Sequence, residues 1–446
     1  MSKLKVKMLT KNTDVYLRET KRDIFKVPRN YDPSLHPFEV PREYVKAMNA
    51  VKLERVFAKP FIGNLDGHKD GISCLAKHPK SLSLLLSGAY DGEIRLWNLA
   101  RKECVMSIQA HEGYIRGVEF MPDGEHYITV GDDNNIKIWE TNPSDEDDIA
   151  PTDTVISKTV LTGISHHRRD ALYATCGETC QIWEETRSAP IKTFQWGVDS
   201  LNHVAFNPIE TSLLASCASD RSIILYDIRT VGAVRKVVMK MRMNEVSWNP
   251  MEAFIFTGAC EDYNLYTFDT RQFKFPLYVH KDNTSAVTCV DYSPTGKEFA
   301  CGGYDKTIRI YEADKTHSRE IYHTKRMQRL TTIAWSLDNK YILSGSDEMN
   351  VRIWKARAWE KLGVLQRREK TAFEYNEVLK SKFSAHPQIA RIRRHRQVPK
   401  HVYNAKKELR AATQKIMRKE ANRRKHSKPG TVPIIPEKER NFIRAE

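Results

Sequence analysis

The feature that most constrains this 446-residue chain is a repeat. The segments "LLSGAYDGEIRLWNL" (Leu85–Leu99) and "YITVGDDNNIKIWET" (Tyr127–Thr141) share one layout, and five later segments end in the same way. Aligning the aromatic that closes each unit gives Trp97, Trp139, Trp183, Tyr226, Phe268, Tyr311 and Trp354, separated by 42, 44, 43, 42, 43 and 43 residues. A steady period of this length marks small supersecondary units that bury their apolar faces only against one another. Within the units, "EIRLW", "NIKIW", "SIILY" and "TIRIY" alternate as pleated strands do. A tight turn precedes the closing strands, centred on Asp91, Asp133, Asp220, Asp262 and Asp305, and an earlier strand runs into a second turn, as in "VEFMPDGE" and "VDYSPTGK".

These units resemble the WD-repeat family, whose repeats are four-stranded blades of a β-propeller. The resemblance covers residues 61–356 and implies an all-β, seven-bladed propeller. It also implies a hydrogen-bonded chain in each blade, built from a His, a Ser or Thr, the turn Asp and the closing Trp. His68, Ser87, Asp91 and Trp97 match it, as do His111, Thr129, Asp133 and Trp139. Recurrence from blade to blade argues for a structural role over a catalytic dyad, since an active site occurs once. Unit three has Gly177 where the Asp should stand, and unit seven, "SDEMN", reads one residue longer. "RVFAKPFIGNL" (Arg55–Leu65) is the expected ring-closing strand beside "VRIW". The expected organisation is an extended basic arm over 1–54, the propeller over 55–356 and a basic α-helical extension over 357–446.

The net charge of +16 is unevenly placed. Residues 357–446 hold 25 Lys/Arg against 9 Asp/Glu, while residues 1–356 balance at 47 of each. No G-x-x-x-x-G-K-[ST], H-E-x-x-H or G-x-S-x-G motif occurs, so neither catalytic residues, nor a cofactor, nor a small-molecule substrate is expected. Of the eight cysteines only Cys176 and Cys180 are close, with no second pair to complete a zinc site, so no metal is expected. The acidic run Ser144–Asp148 reads as a solvated loop between units. No apolar run reaches the length of a membrane helix, and the first residues lack an apolar signal region, so a soluble intracellular protein is expected.

The charge concentrates in "RIRRHRQVPKHVYNAKKELRAATQKIMRKEANRRKHSKPG" (Arg391–Gly430). Val402, Ala405, Leu409, Ala412 and Ile416 recur at 3, 4, 3 and 4 residues, which places a narrow apolar stripe on a strongly basic helix. Upstream, "KTAFEYNEVLKSKF" (Lys370–Phe383) reads as an amphipathic helix with Phe373, Val378 and Leu379 as packing residues. Three readings compete for the basic stretch: a solvated surface helix, a nuclear-import signal, for which "RRKHSK" (Arg423–Lys428) suffices, or an interface with RNA or a ribonucleoprotein. Density favours the last, because an import signal needs only about five charges and this stretch holds 15 Lys/Arg. The candidate contacts are Arg391, Arg393, Arg394, Arg396, Lys400, Lys406, Lys407, Arg410, Lys415, Arg418, Lys419, Arg423, Arg424, Lys425 and Lys428. No aromatic platform or zinc-finger spacing accompanies them, so recognition of backbone and shape is expected over base reading.

Unit four ends "YDIR" (Tyr226–Arg229) and unit five "FDTR" (Phe268–Arg271). Both resemble the W-D-x-R motif of WD-repeat substrate receptors of cullin–RING ubiquitin ligases. That resemblance implies Arg229 and Arg271 as contacts to the ligase adaptor, oriented by Asp227 and Asp269; simple blade-end ion pairs are the other reading.

Finally, "REKTAFEYNEVLKSKFSAHPQIARIRRHRQVPKHVYNA", together with the N-terminal run from "MLTKNTDVYLRETKRDIFKVPRNYDPSLHPFEVPREYVKAMNAVKLERVFAKPF", is similar to the WD-repeat and SOF domain-containing family. The similarity implies a non-catalytic assembly factor of the small-subunit processome, needed for processing the small-subunit ribosomal RNA precursor. Its implied partners are preribosomal RNA and processome proteins, with the chain monomeric within a large particle, in the nucleus and nucleolus. It further implies, for some members, a second role as substrate receptor of a cullin-based ligase.

Overall fold

The period-two alternation of the units becomes seven antiparallel sheets in the computed structural model, which describes residues 33–142, 149–195, 197 and 199–445. The acidic run at 144–148 and most of the N-terminal arm lie outside the described residues. Blade one contains strands Ile72–Lys77, Leu84–Ala89, Glu93–Asn98 and Glu103–Gln109 in spatial order. Blades two to six repeat that meander, opening on Ile115–Phe120, Gly163–His166, Leu201–Phe206, Met243–Trp248 and Val287–Tyr292. Blade seven combines Leu330–Trp335, Tyr341–Ser346 and Asn350–Lys355 with Phe61–Asp66 from the other end of the propeller.

The core lies between blades, which is why the repeats need one another. Leu65, Ile72, Leu85, Trp97, Leu343, Val351 and Ile353 pack together across the seam of blades seven and one. The seam is also hydrogen-bonded: Leu65 pairs with Val351, and the Thr331 hydroxyl donates to the Ile72 carbonyl at 2.5 Å. The closing strand therefore starts at Phe61 rather than Arg55, since Pro60 and the residues before it take no part in the ladder.

The hairpin turns explain the spacing of the repeat. The residue after the turn position adopts a left-handed conformation in six blades: Gly92, Asn134, Arg221, Tyr263, Lys306 and Met349. Such a residue closes a hairpin with the right twist, and the preceding Asp fixes it by accepting the backbone N–H two residues on. Asp91, Asp133, Asp220, Asp262 and Asp305 all do so. In blade three Thr175 and Trp183 pair only eight residues apart, whereas Ser87 and Trp97 are ten apart. Two residues are missing from that turn, and the Asp went with them. Blade seven is not longer than the others: Ser344 and Trp354 are also ten apart, and Glu348 takes the Asp position and binds Arg352.

The described chain divides into two units, residues 61–356 with 397–445 and residues 33–60 with 357–396. In the second unit the described end of the expected extended arm is helical. Helix α1, Glu39–Val56, packs with α2, Arg367–Lys382, and α3, Pro387–Arg394. Ala47, Val51, Leu379 and Ile389 form its buried centre, flanked by Tyr44, Met48, Phe383 and Ile392. Lys380–Glu54 at 2.9 Å and Lys382–Glu43 at 2.6 Å hold the helices in register. Of the three packing residues expected on α2, Leu379 is buried and Phe373 partly so, but Val378 is 64% exposed.

The helical extension is thus divided between the two units. Helix α3 belongs with α1 and α2, while α4, Lys400–Lys425, belongs with the propeller. A short helix α5, Glu437–Arg440, then leads to a strand, Phe442–Ala445, that adds a fifth strand to blade four beside Ala233–Met239.

Candidate nucleic-acid interface

The polar chain expected inside the blades is complete in blade two. His111 Nδ1 lies 2.9 Å from Asp133, His111 Nε2 lies 2.8 Å from the Thr129 hydroxyl, and Trp139 Nε1 donates to that hydroxyl at 3.0 Å. Burial, opposed by Asp133, holds the His111 pKa below its ordinary value. A neutral ring carries its proton on Nδ1, facing the carboxylate, so Nε2 accepts from Thr129. Blade one departs from this plan. His68 Nε2 and Trp97 Nε1 both meet the Ser87 hydroxyl, at 2.6 and 2.7 Å, but His68 Nδ1 faces Glu93 at 3.7 Å and not Asp91. Asp91 serves only the turn. Glu93 is instead bound by Ser107 and Arg95; burial pushes its carboxyl up and these hydrogen bonds outweigh that. Burial and the neighbouring Arg95 lower the His68 pKa to about 4. In blade two both ring nitrogens of His111 are engaged, while in blade one His68 Nδ1 and Glu93 Oε2 are buried without a hydrogen-bond partner; the His–hydroxyl–Trp arrangement itself recurs and is structural.

The propeller axis holds a second polar set that repeat alignment does not single out. Lys77 of blade one reaches Asp291 of blade six at 2.6 Å, and Asp291 accepts the Trp335 N–H of blade seven. Glu245 of blade five accepts the Val290 N–H of blade six at 2.9 Å. Burial raises the Glu245 pKa to about 8 and the Glu119 pKa to about 7. The first strands of the blades are tied to one another by these groups. Among the described residues no group of three or more His, Cys, Asp or Glu is placed to hold a metal ion. All eight cysteines are free thiols; Cys176 and Cys180 face each other across the blade-three hairpin.

The basic residues of the tail fall into two sets. Arg391, Arg393 and Arg394 occupy the last turn of α3, where their charge complements the helix carbonyl end, and Arg396 follows. A break at His395–Pro399 separates them from α4. On α4 the apolar stripe is used only at its start. Val402 is buried, Ala405 and Leu409 are half-buried, but Ala412 is exposed and Ile416 is 54% exposed. Lys406 is an anchor: it binds Asp282 at 2.6 Å, and Asp282 also accepts from the backbone and hydroxyl of Ser318. Burial alone would raise the Asp282 pKa; Lys406 and these bonds hold it below the usual range. Arg424 turns back to Glu420. Lys400, Lys407, Arg410, Lys415, Arg418, Lys419, Arg423, Lys425 and Lys428 are exposed, with no carboxylate partner among the described residues. Tyr403, 63% exposed, sits one helical turn before Lys407 and shares a shallow cleft of about 350 Å³ with the anchored Lys406, Lys407, Arg410, Ala411 and Gln414. It is an aromatic face within the basic surface, which the residue pattern alone did not bring out.

The end of the chain ties α4 to the blades. Arg440 binds Glu420 at 2.9 Å, Asn441 donates to Asp262 and Tyr266 at 2.6 Å, and Phe442 meets Phe275 with ring centroids 5.1 Å apart. The four-residue strand was too short to read from periodicity.

The two D-x-R endings differ in geometry. Asp269 accepts both Nε and Nη2 of Arg271, at 3.2 and 3.1 Å, and the guanidinium lies over Phe254 at 4.7 Å. Asp227 binds only the backbone N–H of Arg229, whose guanidinium turns to Glu210 at 3.6 Å. Both arginines stay exposed, 65% and 74% by side chain. The expected orientation by Asp thus holds for Arg271 and not for Arg229.

Comparison with known families defines the class: residues 59–98, 102–140, 274–312 and 319–355 match the WD domain, G-beta repeat, and residues 356–442 match the Sof1-like domain. The chain is 57% identical over 441 residues to DDB1- and CUL4-associated factor 13 of Homo sapiens, covering 99% of both chains. The corresponding factor of Xenopus tropicalis is 56% identical over 441 residues, again covering 99% of both chains. Protein SOF1 of Saccharomyces cerevisiae is 41% identical over 464 residues, covering 99% of this chain and 94% of the yeast protein. The chain therefore belongs to the family of WD-repeat proteins with a Sof1-like C-terminal domain that contains these relatives.

Proposed function

We propose that this protein is a non-catalytic assembly factor of the nucleolar small-subunit processome, acting in the processing of small-subunit ribosomal RNA precursor. The observation that carries the reading is the exposed, uncompensated basic face of α4, anchored to the propeller at Val402 and Lys406 and open beyond Leu409. Each cation that neutralises a phosphate releases condensed counterions, so such a face binds RNA strongly at low salt and loses affinity steeply as salt rises. The open Ile416–Met417 end offers an apolar patch for a protein of the same particle. The propeller, with its blades tied to one another by inter-blade hydrogen bonds, serves as a rigid platform. Replacing Lys407, Arg410, Lys415, Arg418 and Lys419 by Glu, while sparing the anchor Lys406, is expected to abolish association with preribosomes and halt small-subunit RNA processing. Normal processing in a folded variant would overturn the proposal.

A second reading, that of a ligase substrate receptor, is favoured by the bidentate, exposed Arg271 and by the name of the animal relatives, which associates them with DDB1 and CUL4. The two roles use different surfaces of the propeller unit and are compatible.

A further inference from the structure

The three-helix unit contains a cleft that neither the repeat nor the α4 surface explains. It measures about 680 Å³ and is lined by Arg55 of α1, Pro387, Arg391, Ile392 and Arg394 of α3, and His395. Its floor is apolar, from Pro387 and Ile392, and its rim is cationic, with no carboxylate among the lining residues. Arg55 crosses from α1 to α3 and donates to the Arg393 carbonyl at 2.7 Å, which fixes one wall. Arg391 and Arg394 are exposed and have no acidic partner among the described residues. The buried Ala47–Ile389 contact region beneath keeps the two helices together.

Uncompensated guanidinium groups around an apolar floor suit a ligand that presents negative charge and a flat apolar face together. An unpaired nucleotide is such a ligand: its phosphate meets Arg391 and Arg394, and its base lies on Pro387 and Ile392 with the imidazole of His395 and the plane of a guanidinium as stacking partners. The volume is in the range of small-ligand sites. A paired helix keeps its bases stacked inside and offers this floor nothing. We propose that this cleft binds an unpaired nucleotide of single-stranded RNA, as a contact separate from α4. The proposal rests on the RNA-binding reading above and gives that reading a second, strand-selective site.

The test uses the full chain with a single-stranded oligoribonucleotide carrying 4-thiouridine and, in parallel, a fully paired duplex of equal length. Photo-cross-linking followed by mass spectrometry is expected to place 4-thiouridine on the peptide containing Arg391–Arg396. Arg391→Ala with Arg394→Ala, at exposed positions that hold no helix contact, is expected to remove that cross-link and weaken single-strand binding by roughly tenfold, with duplex binding nearly unchanged. Equal single-strand affinity in the double variant, or a cross-link confined to α4, would overturn the cleft while leaving the α4 reading intact. Loss of all RNA binding in the wild-type chain would overturn both. Displacement of the oligonucleotide by a polyglutamate peptide at lower concentration would overturn the cleft as an RNA site and mark it as an acidic-protein site.

Discussion

Thr129→Val is the sharpest probe of what holds a blade together. The substitution keeps the volume of the side chain and removes one hydroxyl that lies near three groups and serves two of them. With the His111 proton on Nδ1 toward Asp133, the hydroxyl donates to His111 Nε2 and accepts from Trp139 Nε1. The third contact, to the Lys137 carbonyl at 3.4 Å, is too long to matter. In the valine variant the buried Trp139 N–H keeps no acceptor, which costs about 1–3 kcal/mol, and the His111 acceptor loses its donor for about 1 kcal/mol more. A total destabilisation of about 2–4 kcal/mol is expected, with no cavity contribution. Thr129→Ser keeps the hydroxyl and should lose only about 1 kcal/mol, for the methyl group. Urea unfolding followed by tryptophan fluorescence, with hydrogen exchange of blade two as a local readout, separates these outcomes. Valine and serine variants of equal stability would refute the reasoning.

Three further outcomes follow from the same geometry. Burial raises the Glu245 carboxyl from 4.5 to about 8, so between those values the folded chain holds a proton that the unfolded chain has released, and the stability contributed by this group falls as pH rises through that window; Glu245→Gln should flatten the urea-midpoint profile between about pH 5 and pH 8 and stabilise at the upper end by roughly 1–3 kcal/mol, and an unchanged profile would contradict it. Leu65→Ala, at the buried centre of the ring-closing seam, should cost about 2–4 kcal/mol in thermal or urea unfolding, whereas Phe61→Ala, at the exposed end of the same strand, should cost clearly less. Arg271→Ala should weaken co-purification with a cullin-ligase adaptor more than Arg229→Ala does, because only Arg271 is pre-oriented by its Asp; equal effects would contradict that ranking.

The propeller was legible because seven copies of one local pattern reinforce each other: period-two strands, a turn Asp and a closing aromatic at a constant interval. What depends on a single contact was not. Asp91 and Asp133 occupy the same place in the repeat, yet in blade one His68 Nδ1 faces Glu93 at 3.7 Å without a hydrogen bond and Asp91 serves the turn, a difference of side-chain placement and not of spacing. Helix α1 carries a helical pattern at Tyr44, Ala47, Met48 and Val51, but Pro41 and the surrounding charge masked it, and its partners lie more than 300 residues away. The helix from Val402 is legible from its 3, 4, 3, 4 spacing, but the charge, continuous across Arg391–Lys428, does not show that the residues on either side of the break at His395–Pro399 pack into different units. Similarly, Lys406 looks like its neighbours in sequence and differs only because Asp282 lies 2.6 Å away. The strand Phe442–Ala445 is fixed by an edge of blade four that no local pattern reports.

The central claim is that α4 lies against preribosomal RNA. RNA–protein cross-linking in intact preribosomal particles, read out by mass spectrometry on the peptides spanning Tyr403–Lys425, tests it most directly. The account predicts RNA adducts on the face bearing Tyr403, Lys407 and Arg410, with none at the anchored Lys406. Adducts absent from this helix in particles that contain the protein, or protein cross-links alone along its length, would contradict it.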